Sequence, residues 1–231
     1  MDSRRKIPKT IRVKRKRFLE DYIKNKNVMH VGCTGGLLGE ENENFHIQNY
    51  NLLEDTHYKL SKSAKSISGI DISKKKIDFL KSQGFKDLYV YDICSDQFDL
   101  DKQFDVLLFP NIIEHLDNVG LALNNLKKMM RDDTKLLITT NNPFDILLLI
   151  KLFFNYESVH DEHTAYYSYS TMRRILKMHD LKIEKFYYAI NEKKWTLREN
   201  MSQFFFKKIQ IIFSKIFNQF SEDLIFIVSK V

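Results

Sequence analysis

Val28–Gly36 reads VMHVGCTGG. The apolar run Val28–Val31 predicts a short buried strand that empties into a turn at Gly32, Gly35 and Gly36. Ser66–Ile72 follows as SISGIDI, a second strand whose end carries Asp71. Glycines let a backbone turn tightly and approach a ligand, and an acid at the end of the next strand can accept hydrogen bonds from both ribose hydroxyls. Together they outline a nucleoside-binding α/β unit. The glycines alone serve a ligand-free turn equally well, so the rest of the chain decides.

Outward from that stretch, strands alternate with helices. Ile11–Asn25 predicts a helix with Ile11, Phe18, Leu19, Tyr22 and Ile23 on its apolar face. The polar stretch 37–55 reads as a loop, and Thr56–Lys65 as a helix. Ser73 caps a helix running to Gln83, which Gly84 stops. Asp87–Ile93 (DLYVYDI) predicts a third strand ending at Asp92. Phe104–Phe109 (FDVLLF) predicts a fourth, so continuously apolar that both its faces must be covered. Ile112–Leu116 begins a helical stretch, Gly120–Met130 is an amphipathic helix, and Lys135–Thr140 predicts a fifth strand. Such alternation means an open parallel sheet whose strand ends share one ligand-binding rim. Asp71, Asp92 and the segment Asn111–Asp117 fall on it.

Beyond the fifth strand the pattern changes. Phe144–Asn155 (FDILLLIKLFFN) is apolar almost all round, too short to span a membrane, and reads as a buried helix or a lid. Tyr156–Ser170 is a polar, aromatic loop; Ser170 caps a helix over Thr171–His179. Leu181–Ile190 and Asp223–Ser229 predict strands. Between them Arg198–Phe220 predicts a long amphipathic helix that covers the sheet or a dimer interface, with peripheral membrane contact as the other option. The expected organisation is a basic segment and helix over 1–26 and one domain over 27–231, with an insertion at 143–170 over the substrate.

With 231 residues, 43% of them hydrophobic, the chain can bury one sizeable core. Three prolines and seven glycines exclude a collagen-like or low-complexity chain. Cys33 and Cys94 make neither a disulfide framework nor a zinc site and read as packing residues. No signal peptide is visible, so a cytoplasmic location is expected. The net charge of +7 gathers at the start, where Arg4, Arg5, Lys6, Lys9, Arg12, Lys14, Arg15, Lys16 and Arg17 lie. A solvated face is one reading of that cluster, and nucleic-acid or anionic-membrane binding the other.

The succession VMHVGCTGG, GIDIS, YDI, FDVLLFPNIIEHLDN, KLLITTNNP, HTAYYSYSTMRRIL and DLIFIVS resembles the class I S-adenosylmethionine-dependent methyltransferases, in their small-molecule branch. FDVLLFPNIIEHLDN is the most specific piece. The resemblance implies a Rossmann-like, mostly parallel seven-stranded sheet with an antiparallel last strand and helices on both faces. It implies that Gly32, Cys33, Thr34 and Gly36 lie under the methionine part of the cofactor, that Asp71 holds the ribose, and that Ile72, Asp92 and Ile93 border the adenine. Asn111 would pass the sulfonium. It further implies S-adenosylhomocysteine as product and a small-molecule acceptor, with a sugar or a polysaccharide or glycolipid precursor as the class it points to. Two positions depart from the family pattern: His30 stands where an acid is usual, and Thr34 where glycine is usual.

Methyl transfer is an in-line displacement that needs positioning and exclusion of water, and no metal. An oxygen acceptor benefits from a general base. His115 and His163 are the candidates, because histidine titrates near neutrality. His160 and His163 with Asp161 and Glu162 match no specific metal-site spacing, and no metal is expected. Two alternatives remain. His30 and Thr34 favour a methyltransferase-fold binding or scaffold protein without catalysis. The basic start favours a nucleic-acid methyltransferase, against which stands FPNI after the fourth strand, where base-amino methyltransferases carry (D/N)PP(Y/F/W).

Overall fold

The computed structural model describes residues 6–35, 51–191 and 201–231. Gly36, Arg4, Arg5, most of the loop expected after Gly36 and the start of the helix expected from Arg198 lie outside the described residues. Eight strands are described, in the order β1-β7-β8-β6-β5-β2-β3-β4. They are β1 (Arg12–Lys14), β2 (Asn27–Val31), β3 (Ser66–Asp71), β4 (Leu88–Val90), β5 (Phe104–Pro110), β6 (Met130–Asn141), β7 (Leu181–Ile190) and β8 (Asp223–Lys230). The helices are α1 (Arg15–Tyr22), α2 (Thr56–Ser61), α3 (Lys74–Ser82), α4 (Val119–Lys128), α5 (Ile146–Phe153), α6 (Tyr169–Met178) and α7 (Met201–Ile216). The chain divides into two compact units: residues 19–110 with 118–136, and residues 1–18 with 111–117 and 137–231.

In the first unit β2 pairs in parallel with both β3 and β5, and β3 with β4. Val106, Leu107, Leu108 and Phe109 of β5 are fully buried, as their unbroken apolar run requires. Asp105 anchors the strand's start, accepting from the Asn27 amide and from the Arg131 guanidinium at 2.7 Å each. Gly69 sits where β3 passes Cys33 and Leu88. A Cβ there would lie 2.7 Å from the Cys33 Sγ and 2.7 Å from a Leu88 methyl. Ser73 caps α3 by accepting from the Lys76 amide.

In the second unit β7 and β8 run antiparallel, which makes β8 the antiparallel last strand expected from the sequence. Among the described residues the sheet has eight strands rather than seven, because Arg12–Lys14 is not the first turn of a helix. It pairs in parallel with Tyr188, Ala189 and Ile190 of β7. The Arg12 guanidinium donates to the Ile211 carbonyl and the Ser214 hydroxyl, so tertiary partners override a helical pattern. In α7, Gln210 donates to the Asp145 carboxylate at the cap of α5, with both side chains buried.

Other boundaries differ for local reasons. β4 stops at Val90, short of Asp92, whose carboxylate turns back onto the Cys94 amide at 2.8 Å. β6 starts at Met130, before the expected Lys135. Ser168, not Ser170, caps α6, and it forms a reciprocal box with Thr171. Helix α5 is not buried: Leu152, Phe153 and the following Phe154 are 58%, 83% and 65% exposed. A helix apolar on all sides carries no mark of which side is covered, and here α7 packs against it. No described helix is long and apolar enough to cross a membrane.

Candidate active site

In the first unit, the turn after β2 is built around Gly32 at φ 69°, a backbone region that other residues enter only under strain. The amides of Gly32 and Cys33 both donate to the Ile70 carbonyl, at 2.9 and 3.1 Å. These bonds fix the turn against the end of β3, where Asp71 stands. One Asp71 oxygen accepts from the Thr34 hydroxyl at 2.6 Å and the Thr34 amide at 3.1 Å; the other accepts from the Ser73 amide at 3.0 Å. Thr34, the departure from glycine, therefore holds the acid in place. A carboxylate accepts about four hydrogen bonds, so Asp71 keeps capacity for a ribose hydroxyl. Ile72 is 69% exposed, an apolar surface next to the acid.

Other expected contacts are placed differently. The Cys33 side chain is buried with Ile77, Leu80 and Leu88, and burial, with Asp71 nearby, pushes its thiol pKa up. It is a packing residue. Ile93 is buried, while Asp92 is exposed. The segment holding both is tied down by buried Asn125 of α4, which donates to the carbonyls of Ile93 and Ser95 at 2.9 and 2.8 Å. Sequence reasoning passed over Asn125, though an amide on the inner face of an amphipathic helix was the available signal. His30 lies inside the unit, fully buried against His57, with 3.1 Å between their Nδ1 atoms. Burial, then the neighbouring His57, lowers the His30 pKa; burial lowers that of His57 to about 4. Both rings are neutral at pH 7, and neither supplies the charge of the usual acid.

In the second unit Asn111 takes a left-handed φ of 51°, which asparagine tolerates. Its carbonyl oxygen accepts from Arg15 at 2.8 Å and Thr139 at 2.6 Å, and its amide donates to Glu114 at 3.1 Å. Arg15 also pairs with buried Asp223 at 3.2 Å. Two of the basic residues at the start, Arg12 and Arg15, are thus spent on internal contacts. Glu114 is fully buried, and burial raises its pKa, partly offset by hydrogen bonding. Neither Arg15 nor Glu114 was singled out by sequence reasoning for this role.

The two candidate bases come together in this unit. The rings of His115 and His163 are 4.7 Å apart, nearly perpendicular, and His160 lies 5.8 Å from the first and 5.4 Å from the second. Two connections arrange them. The Thr164 amide donates to the Glu114 carbonyl at 2.8 Å, and the Thr164 hydroxyl to those of Glu114 and Leu116 at 3.1 and 2.8 Å. The His163 amide donates to the His160 carbonyl at 2.9 Å, which closes the turn between the two. Burial, then the neighbouring His115 and His160, lowers the His163 pKa.

The strand order with β7 and β8 antiparallel, the glycine turn and the acid after β3 define the class: a Rossmann-like methyltransferase fold. A family model described as a methyltransferase domain matches residues 3–185, and the chain belongs to that family, whose cofactor is S-adenosylmethionine. Among curated proteins, it is 28% identical over 123 residues to the ubiquinone biosynthesis O-methyltransferase of Pelagibacter ubique, covering 52% of this chain and 44% of that one. The counterpart of Coxiella burnetii is 27% identical over 134 residues, covering 55% and 50%. The chain spans about half the length of the curated relatives it matches. Among solved structures, a SAM-dependent methyltransferase from Archaeoglobus fulgidus aligns with a TM-score of 0.56 at 21% identity, covering 94% of this chain and 91% of that one. Magnesium protoporphyrin IX methyltransferase from Synechocystis, with S-adenosylhomocysteine bound, aligns at 0.54 and 12% identity, covering 94% and 84%.

Proposed function

We propose that this chain transfers a methyl group from S-adenosylmethionine to a hydroxyl of a small molecule. The observation that carries the reading is the Asp71 carboxylate, fixed by Thr34 and Ser73 beside the Gly32 turn and followed by exposed Ile72. Its remaining acceptor site suits a ribose hydroxyl, and Ile72 suits the adenine face. When bound, the cofactor supplies a methyl group on a positively charged sulfur. Gly32, Gly36, Thr34 and Asp92 complete the proposed cofactor contacts, with Ile93 as packing behind them and Asn111 as the residue passing the sulfonium. His115 and His163 are the proposed acceptors of the hydroxyl proton. An oxygen acceptor is supported by the names of the relatives, which are O-methyltransferases.

The test is thermal unfolding with S-adenosylmethionine, S-adenosylhomocysteine and, as control, NADH. A ligand of the folded state at 100 times its Kd adds about 2.7 kcal/mol, a shift of a few degrees at this size. Stabilisation by the first two alone, abolished by Asp71→Ala, is the expected result. No shift with either would leave a scaffold protein in place of the enzyme. Methyl acceptance is then compared between a simple catechol and sugars, the latter being the class expected from the sequence. His163→Ala is expected to lower kcat by about a hundredfold with the cofactor shift unchanged.

A further inference from the structure

We infer that His115, His160 and His163 form a binding site for a divalent transition metal ion of the Zn2+ type. Each ring offers a nitrogen, and the three nitrogens lie within 4.8 Å of one another. Zinc–imidazole bonds are about 2.0–2.1 Å, which places tetrahedral ligands about 3.4 Å apart. Small side-chain rotations on the 3-10 turn that ends at His115 and on the loop that carries His160 and His163 would bring the trio to that spacing. The Nδ1 of His163 is buried and has no hydrogen-bond partner among the described residues. A buried, unpartnered nitrogen is costly unless something binds it.

The surroundings favour a cation. A Glu162 oxygen lies 3.7 Å from the Nδ1 of His115 and 3.9 Å from that of His160. No lysine or arginine forms an ion pair with Glu162 among the described residues. A metal binds imidazoles in their neutral form, so binding releases any proton they hold. Three nitrogen ligands suit Zn2+ or Co2+ over Mg2+ or Ca2+, which take oxygen. Three protein ligands also leave a fourth position for water or a substrate oxygen. The sequence concealed the site because one ligand lies after β5 and the other two more than forty positions later. The backbone bonds from Thr164 to Glu114 join them.

The inference does not rest on methyl transfer, since metal binding is read without acceptor or cofactor; an imidazole that holds the ion has no basic nitrogen left, so the base role of His115 and His163 belongs to the metal-free chain. The full chain, freed of metal by chelator and dialysis, is titrated with Zn2+ against a chromophoric chelator, and with Co2+ by visible absorption. The expected result is about one Zn2+ per chain and a tetrahedral Co2+ spectrum. His160→Ala and His163→Ala each weaken binding by about tenfold or more, whereas His179→Gln changes nothing. His160 is exposed, so its substitution leaves the fold intact. Binding absent below millimolar Zn2+, or equal in both alanine variants and the parent, overturns the inference. If the metal binds and S-adenosylmethionine gives no stabilisation, the site stands and the methyltransferase reading falls.

Discussion

Histidines gather in two places in this protein, and the two clusters are opposite in kind. His30 and His57 are stacked, with an interplanar angle of 11° and full burial, and both have lowered pKa values. His115, His160 and His163 meet edge to face or tilted, from a 3-10 turn and a loop, with their rings partly open to solvent. The first pair shares one nitrogen-to-nitrogen contact and leaves the His57 Nε2 without a partner among the described residues. The second group leaves the His163 Nδ1 without one, but there two further imidazoles stand close by. Burial alone can make the same side chain a neutral core element or a ligand.

The largest test of that contrast is acid. The folded-state pKa of His57, about 4, lies below its ordinary 6.5. The unfolded chain therefore takes up the proton first, and stability is full above pH 6.5 and lost as pH falls toward 4. The loss from His57 is roughly 3 kcal/mol, with His30 adding in the same direction. Urea unfolding between pH 7 and 4 measures it. His57→Phe should flatten the dependence, and His160→Ala should leave it in place; the reverse pattern would erase the distinction.

Next in size is Thr34→Val. It keeps the shape and removes the hydroxyl bonded to Asp71. About tenfold weaker S-adenosylmethionine binding is expected, as for a hydrogen bond to a charged group, with Zn2+ affinity unchanged by calorimetry. Thr164→Val works on the other region: loss of two hydroxyl bonds should cost about 1 kcal/mol in urea and weaken Zn2+ severalfold, without touching cofactor binding. The smallest effect is expected of Glu162→Gln, which removes a half-exposed charge and should reduce Zn2+ affinity by about two- to threefold. If either threonine variant weakens both ligands equally, the two regions are not independent.

What the sequence made legible follows the same divide. β2, β3, β5 and α3 could be read to within a residue or two, because an apolar run, a capping serine and a glycine stop are local signals. The acid at Asp71 was readable too. β1 was not, because Arg12–Lys14 is made a strand by β7, far along the chain. Nor was the anchoring of Asp71 by Thr34: the threonine stood out only as a departure from glycine and is a support. His115 and His163 were readable as chemistry, but their meeting depends on Thr164, for which the sequence held no signal. His30 stood out alone, and only the strand and helix geometry pairs it with His57.

The crowding at Gly69 has a consequence for descent. The space a side chain would need there is filled by Cys33 and Leu88. Position 33 is also part of the turn that precedes Thr34 and Asp71. A lineage can therefore enlarge residue 69 only where residue 33 has lost even its Cβ, 2.8 Å from the added atom, and Leu88 has also given way. The three positions travel as one character, and relatives with a side chain at 69 should be smaller at both of the others.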